Sequence, residues 1–246
     1  MKLVVITGAG GGLGRALAVE LTRRGLRVAG LGRRLDALQE TGRIAGEAFI
    51  PVQVDVADAG AVAVAFAALP APVTHLINNA AVYPRLDILQ ESPASFAQTI
   101  AINLGGMVAC TDAALRQMVP TGVGRIMNVS TFADIAPLPA SAAYAVSKGA
   151  ARIYTRALVA DLGDRFPQIV INDWMPGMLA TGMGIAHGLD PAVAARWGAE
   201  LLLMDDQGLT GTLWEMDREL LPPRSFKGRI KDRLLFRPRQ KPRRLG

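Results

Sequence analysis

Two side chains four residues apart, Tyr144 and Lys148, carry the plainest chemistry in the chain. On a helix that spacing puts both on one face, so a phenol and an ammonium can share a site. A phenol ordinarily ionises near pH ~10, and a neighbouring positive charge favours the phenolate and lowers that value. Such a group can donate a proton to a carbonyl or take one from an alcohol. A hydroxyl pair, Ser130-Thr131, lies upstream. A second kind of chemistry sits near the N-terminus, in the run from Thr7 through Gly8, Gly10, Gly11, Gly12 and Leu13 to Gly14. Glycines there let the backbone approach a pyrophosphate, and a following helix N-terminus favours its negative charge. The spacing is T-G-x-x-x-G-x-G. The pattern G-x-G-x-x-G is absent: started from Gly8, Gly10 or Gly12, it ends on Leu13, Arg15 or Leu17.

Positioning these groups requires strands that end beside one another. Apolar runs at Leu3–Thr7, Arg27–Leu31, Phe49–Val54, His75–Asn78, Arg125–Val129, Ile169–Met175 and Thr212–Glu215 read as strands. Between them the periodicity predicts helices over Leu13–Arg24 (stopped by Gly25), Leu35–Thr41, Asp58–Leu69, Pro93–Met118 and Ser141–Phe166. Strands without a polar face, alternating with helices, indicate an α/β protein: a doubly wound parallel sheet in three α/β/α layers, forming one domain. Ligands of such sheets bind beyond the carboxyl ends of the strands. The glycine run, Asp55-Val56, Asn78-Asn79-Ala80-Ala81, Ser130-Thr131 and Pro176-Gly177 all fall at such ends.

In that order and spacing, these pieces resemble the short-chain dehydrogenase/reductase family, in its compact single-domain branch, from Lys2 to about Leu221. The resemblance implies a Rossmann-type fold and a nicotinamide cofactor. It implies that Asp55 and Val56 meet the adenine, and that Asn79, Ala80 and Ala81 line the cofactor site, Ala81 replacing the family's usual glycine. Asn103 matches the structural and catalytic asparagine that holds a proton-relaying water. Tyr144 matches the acid/base, its phenolate favoured by Lys148 and by the cofactor's positive ring. Lys148 would also bond the nicotinamide ribose. Pro176, Gly177, Thr181 and Met183 fit the family's PG-x-x-x-T-x-M. The substrate-polarising serine falls on Thr131, with Ser130 beside it as the alternative; threonine keeps the hydroxyl, but its methyl restricts χ1.

Where NAD-preferring members carry an acid after the second strand, this chain has Gly32-Arg33-Arg34. No carboxylate opposes a 2′-phosphate there, and Arg33 can pair with one, so the expected cofactor is NADP, with NAD as the alternative. The expected activity is an NADP-dependent transfer of hydride between nicotinamide and a carbonyl/alcohol pair. Tyr83, Met183, Trp197 and Met204, in segments 82–89 and 178–206, suggest an apolar or aromatic substrate, or equally an amphipathic lid. The alternative in another class is a non-catalytic NADP(H)-binding regulatory or scaffold protein on the same fold.

Composition bounds these readings. Half of the 246 residues are hydrophobic, enough for a core. The single Cys110 excludes a disulfide framework, and His75 and His187 stand too far apart to suggest metal-ligand spacing. The net charge of +6 is unevenly placed. Residues 224–246 hold ten Lys/Arg against Asp232, a local +9, so the other 223 residues sum to −3. The division expected is therefore 1–223 as the oxidoreductase domain and 224–246 as a basic extension. That extension reads as a solvated tail or as an arm on another subunit's acidic surface. Nucleic-acid or membrane binding is disfavoured, because the tail lacks an amphipathic period and Pro238 and Pro242 interrupt it. The uncharged stretch Ser92–Thr111 is broken by Pro93, Asn103, Gly105 and Gly106 and does not read as a membrane span, so a cytoplasmic location is expected. The resemblance further implies a homodimer or homotetramer built on the two long helices.

Overall fold

The computed structural model describes residues 2–222 and 241–246. The strands are β1 (Leu3–Thr7), β2 (Arg27–Gly32), β3 (Phe49–Gln53), β4 (Val73–Asn78), β5 (Val123–Val129), β6 (Gln168–Met175), β7 (Leu213–Glu215) and β8 (Arg218–Leu220). They form one sheet in the order β3-β2-β1-β4-β5-β6-β7-β8, parallel except for the antiparallel β7–β8 pair. The helices are α1 (Gly12–Arg23), α2 (Leu35–Ala45), α3 (Ala59–Ala67), α4 (Pro93–Ile100), α5 (Gly106–Met118), α6 (Ala142–Leu162) and α7 (Pro191–Leu203).

The strand chemistry explains the layers. All five residues of β1 are buried. Alternation sends Val4 and Ile6 into a core with Leu17, Leu21, Trp174 and Trp214, and Leu3 and Val5 into another with Phe66, Cys110, Ala114 and Leu158. Each large side chain fully buried this way contributes roughly 1.5–3 kcal/mol. β3 is the edge strand, and its burial alternates. Pro51, which has no N–H to donate, is tolerated there. Beyond β1 the chain order reverses to β4, which opens the crevice in which such sheets bind ligands.

Three features depart from the sequence reading. The stretch expected as one helix over Pro93–Met118 is interrupted by a π-helical turn at Ala101–Gly105 that contains Asn103. Helical periodicity runs on either side of the one extra residue, so the pattern conceals it. Segment 178–206 contains the full helix α7, started by Asp190, whose carboxylate accepts from Ala192 N, and by Pro191. Arg125 of β5 donates to the carbonyls of Leu201, Leu202 and Met204 at its other end. The extension is not wholly a solvated tail. Residues 241–246 fold back onto their own chain, with Leu245 buried against the core of α1 and α7. Arg243 pairs with Glu219 and Asp206 and lies over the Trp214 ring, Arg244 pairs with Asp217, and Gly246 N donates to Glu200. For residues 241–246 the acidic partners lie on the same chain. Residues 224–240 lie outside the described residues.

Candidate active site

The glycine run forms the turn from β1 into α1. Gly8 has φ +71°, a conformation that disfavours side chains, and a Cβ built on Gly14 would lie 2.2 Å from the Gly8 carbonyl oxygen. Gly10 abuts Ala37, and Gly11 faces open space. Polar contacts hold the turn. Thr7 Oγ1 accepts from Asn79 N and Ala80 N, both at 2.9 Å, and Asn79 Nδ2 donates to Thr7 O at 2.8 Å. Arg15 donates to Gly10 O at 2.7 Å and to Thr41 Oγ1 at 3.0 Å. This backbone cradle at a helix N-terminus, which a Cβ would fill, fits a pyrophosphate. Thr7, the first residue of the T-G-x-x-x-G-x-G run, and Arg15, one residue after its last glycine, thus support the turn.

The neighbouring strand ends bring further residues to the crevice. Asp55, after β3, accepts from Ala57 N, and Val56 is buried where it would meet any Cβ on Gly106. Arg33 and Arg34 are exposed where β2 passes into α2. A cavity of about 470 Å³ joins Arg33, Ala81, Tyr83, Ile102 and Met183. Thr181 packs within reach of Gly12, so the segment after β6 touches the glycine turn. Gly177 follows Pro176 at φ +90°.

The other end of the crevice holds Tyr144, Lys148 and Thr131. Tyr144 and Lys148 share a face of α6. The buried Lys148 donates from Nζ to Val129 O at 2.8 Å, and burial lowers it to about 8. Burial raises Tyr144 above the usual phenol value, and the Thr131 hydroxyl beside it pulls that part-way back. The lowering expected for Tyr144 draws on the positive ring of a bound cofactor as well as on Lys148, whose ammonium is here engaged with Val129 O. The Tyr144 ring stacks on Tyr83, centroids 4.6 Å apart and 16° between planes. Arg85 lies over Tyr83 and donates to Met183 O and Gly184 O at 2.7 and 2.8 Å, joining the segment after β4 to that after β6. That latch was not legible in the sequence.

The Asn103 side chain has partners on two elements. Its Oδ1 accepts from Val82 N at 2.7 Å, and its Nδ2 donates to Val82 O and Ser147 Oγ at 3.0 Å. Ser147 stands next to Lys148 and bonds Tyr144 O at 2.7 Å. The buried side chain of Asn103 therefore fixes the loop after β4 to the start of α6. Ser130 is turned toward Arg152, which donates to its Oγ at 3.2 Å. Arg152 follows Lys148 by four residues and Tyr144 by eight, a helical spacing that could have flagged it. Behind this corner Asp173 accepts from Thr155 Oγ1 at 2.8 Å, and burial raises its carboxyl to about 7. His75 and Cys110 are core groups: burial lowers the first to about 4 and raises the second to about 12, leaving both neutral near pH 7. Among the described residues no helix is long and apolar enough to cross a membrane.

Residues 2–191 match the family model described as short chain dehydrogenase. The chain is 32% identical over 192 residues to 2-(R)-hydroxypropyl-CoM dehydrogenase of Xanthobacter autotrophicus, covering 74% of this chain and 76% of that one. It is 31% identical over 193 residues to carbonyl reductase [NADPH] 2 of Sus scrofa, covering 78% of each. Among solved structures, serine dehydrogenase from Escherichia coli superposes with a TM-score of 0.77 at 25% identity, over 87% of this chain and 96% of that one.

Proposed function

The chain belongs to the short-chain dehydrogenase/reductase family, whose members use nicotinamide cofactors on alcohols and carbonyls, and from that premise we propose that it is an NADP-dependent carbonyl reductase. One observation carries the reading: Tyr144 lies beside the Thr131 hydroxyl, and the buried Lys148 follows one turn along the same face of α6, at one end of a crevice. The other end holds the glycine cradle and Arg33.

The cradle from Gly8 to Gly14 would receive the pyrophosphate, and Asp55 and Val56 the adenine. Asn79, Ala80 and Ala81 would line the ribose, with Pro176, Gly177, Thr181 and Met183 closing the opposite side. Arg33, which has no acid beside it to compete, would pair with the 2′-phosphate. Arg34 supports the same charge from the start of α2. Bound there, the nicotinamide supplies or accepts the hydride.

The chain's own groups then do the following. Thr131 donates a hydrogen bond to the substrate carbonyl and polarises it. Tyr144 delivers a proton to the same oxygen in reduction; in oxidation its phenolate, which Lys148 and the positive ring of the bound cofactor would favour, takes one from the alcohol. Lys148, held by Val129 O, places positive charge near that phenol and reaches toward the cofactor ribose. Asn103 keeps the loop after β4 against Ser147, and so keeps Tyr144 and Lys148 in place. Tyr83 and Met183 give the crevice an apolar wall, which suits an apolar or aromatic carbonyl compound. Val108, Val146 and Ile153, exposed on α5 and α6, support assembly as a homodimer or homotetramer through those helices.

The test is NADPH oxidation, followed at the reduced-nicotinamide absorbance, over a panel of ketones, aldehydes and quinones, with NADH in parallel. Turnover at least tenfold better with NADPH, reduced toward parity by Arg33→Ala, is the expected result. Tight NADPH binding with no turnover of any panel member would favour a non-catalytic binding protein. Equal use of NADH would remove the role given to Arg33.

A further inference from the structure

Beneath Thr131, a buried ion pair belongs to none of the functions assigned above. Arg152 of α6 places Nε and Nη2 at 2.7 and 2.9 Å from the two carboxylate oxygens of Asp134. Both side chains are nearly removed from solvent, 14% and 6% exposed. From the same Nη2, hydrogen bonds reach the Thr131 carbonyl oxygen at 2.8 Å and Ser130 Oγ at 3.2 Å. The Met175 sulfur at 3.6 Å closes the site from β6. One guanidinium thus ties together both hydroxyl-bearing residues, the loop after β5 and the helix carrying Tyr144 and Lys148.

The two hydroxyls are left in unlike situations. Ser130 Oγ faces the guanidinium, and its backbone N–H is committed to Trp174 O at 2.8 Å. Thr131 Oγ1 accepts from Ala133 N at 3.3 Å, which leaves its O–H as a donor on the Tyr144 side. Its carbonyl is pinned by Arg152, and its β-branched side chain has few rotamers once that backbone is fixed. Resting on the reductase reading, we propose that Arg152, held by Asp134, is the positioning residue that presents Thr131 to the substrate and turns Ser130 away. The relation decides which of two adjacent hydroxyls serves the reaction, a question the sequence leaves open.

The pair is also a structural element, so the test must separate position from folding. Breaking a buried pair from one side leaves an uncompensated charge, whereas neutralising both partners does not. Arg152→Met is expected to lower the melting temperature, and Asp134→Asn added to it should restore most of the loss. With the best panel substrate, the double variant should keep cofactor affinity within twofold while kcat stays at least tenfold below the parent. In protein labelled with 13C at threonine methyls, the Thr131 signal should move or broaden in that variant. Arg152→Lys keeps the charge pair and the fold but cannot bridge the same acceptors with a fork; a five- to twentyfold loss of kcat is expected there. A double variant with restored melting and kcat within twofold of the parent, or an unchanged Thr131 signal, overturns the proposal. So does parental kcat in Arg152→Lys. Tyr144→Phe in the same assay distinguishes the underlying reading: if it turns over normally, the reductase site itself is misassigned and the proposal falls with it. If Tyr144→Phe is inactive while the Arg152 variants are normal, only the positioning role fails.

Discussion

On the β1–β3 side of the crevice the shape is set by backbone. Gly14 lies so close to Gly8 that no Cβ fits, and the contacts bracing the turn, from Asn79, Arg15 and Thr41, end mainly on main-chain oxygens. On the β5–β8 side it is set by side chains and charge. Lys148, Arg152, Asp134 and Asp173 are buried together, and the carboxyl end of the chain is clamped by Arg243 and Arg244. The first side would hold a ligand chiefly by fit to a backbone turn, with Arg33 and Arg34 adding charge at its edge; the second must hold a proton. That difference predicts that one side is sensitive to volume and the other to charge and pH.

Gly14→Ala tests the volume side most severely. The added methyl meets Gly8 O, Gly8 C and Asn79 Nδ2, so the turn must open. A loss of about 3 kcal/mol, the upper end for overpacking, is expected, or roughly 6–12 °C in melting. NADPH affinity should fall by more than a hundredfold in a fluorescence titration. Unchanged affinity would mean that the cradle is not where the cofactor binds.

Arg243→Ala tests the charge side away from the chemistry. It strands Glu219, 5% exposed, without its partner. A loss of about 2 kcal/mol is expected, visible as a melting shift of roughly 4–8 °C, with kcat little changed. A neutral effect would show that the returning C-terminus is held by Leu245 rather than by its charges.

Asp173 gives the clearest sign. Its carboxyl is raised, chiefly by burial, from the usual value to about 7, against the pull of Thr155, Arg152 and Lys148. The folded state therefore binds a proton that the unfolded chain has already released above pH ~4. Stability from this group is full below that point and is lost as pH rises through about 7. Asp173→Asn should remove this limb, changing the parent-minus-variant difference in unfolding free energy by roughly 2–3 kcal/mol between pH 5 and 7.5. A flat difference would place Asp173 outside the charged cluster.

The same contrast explains what could be read in advance. The β1–β3 side was legible because its signals are local: a buried strand, a glycine register, and a helix stop at Gly25. The sheet and the strand-end location of the site followed from alternation alone. The β5–β8 side depends on partners far apart in the chain. Arg85 with Met183 and Arg243 with Glu219 leave no mark in periodicity, and helical spacing points to Arg152 but not to its partner Asp134. β8 is three residues, two of them charged, and has no apolar run to announce it. Sequence shows the lysine near Tyr144 but not the burial that acts on the phenol in the opposite direction. The π turn at Asn103 was missed because one extra residue does not disturb a helical pattern.

The most direct measurement is Tyr144→Phe, read twice: NADPH affinity by fluorescence, and turnover with the best carbonyl substrate. If the two sides divide binding from proton transfer, affinity stays within about twofold while turnover falls by roughly 10²–10⁴, the range a positioned acid/base contributes. Turnover near the parental level, or affinity lost together with it, would contradict that division.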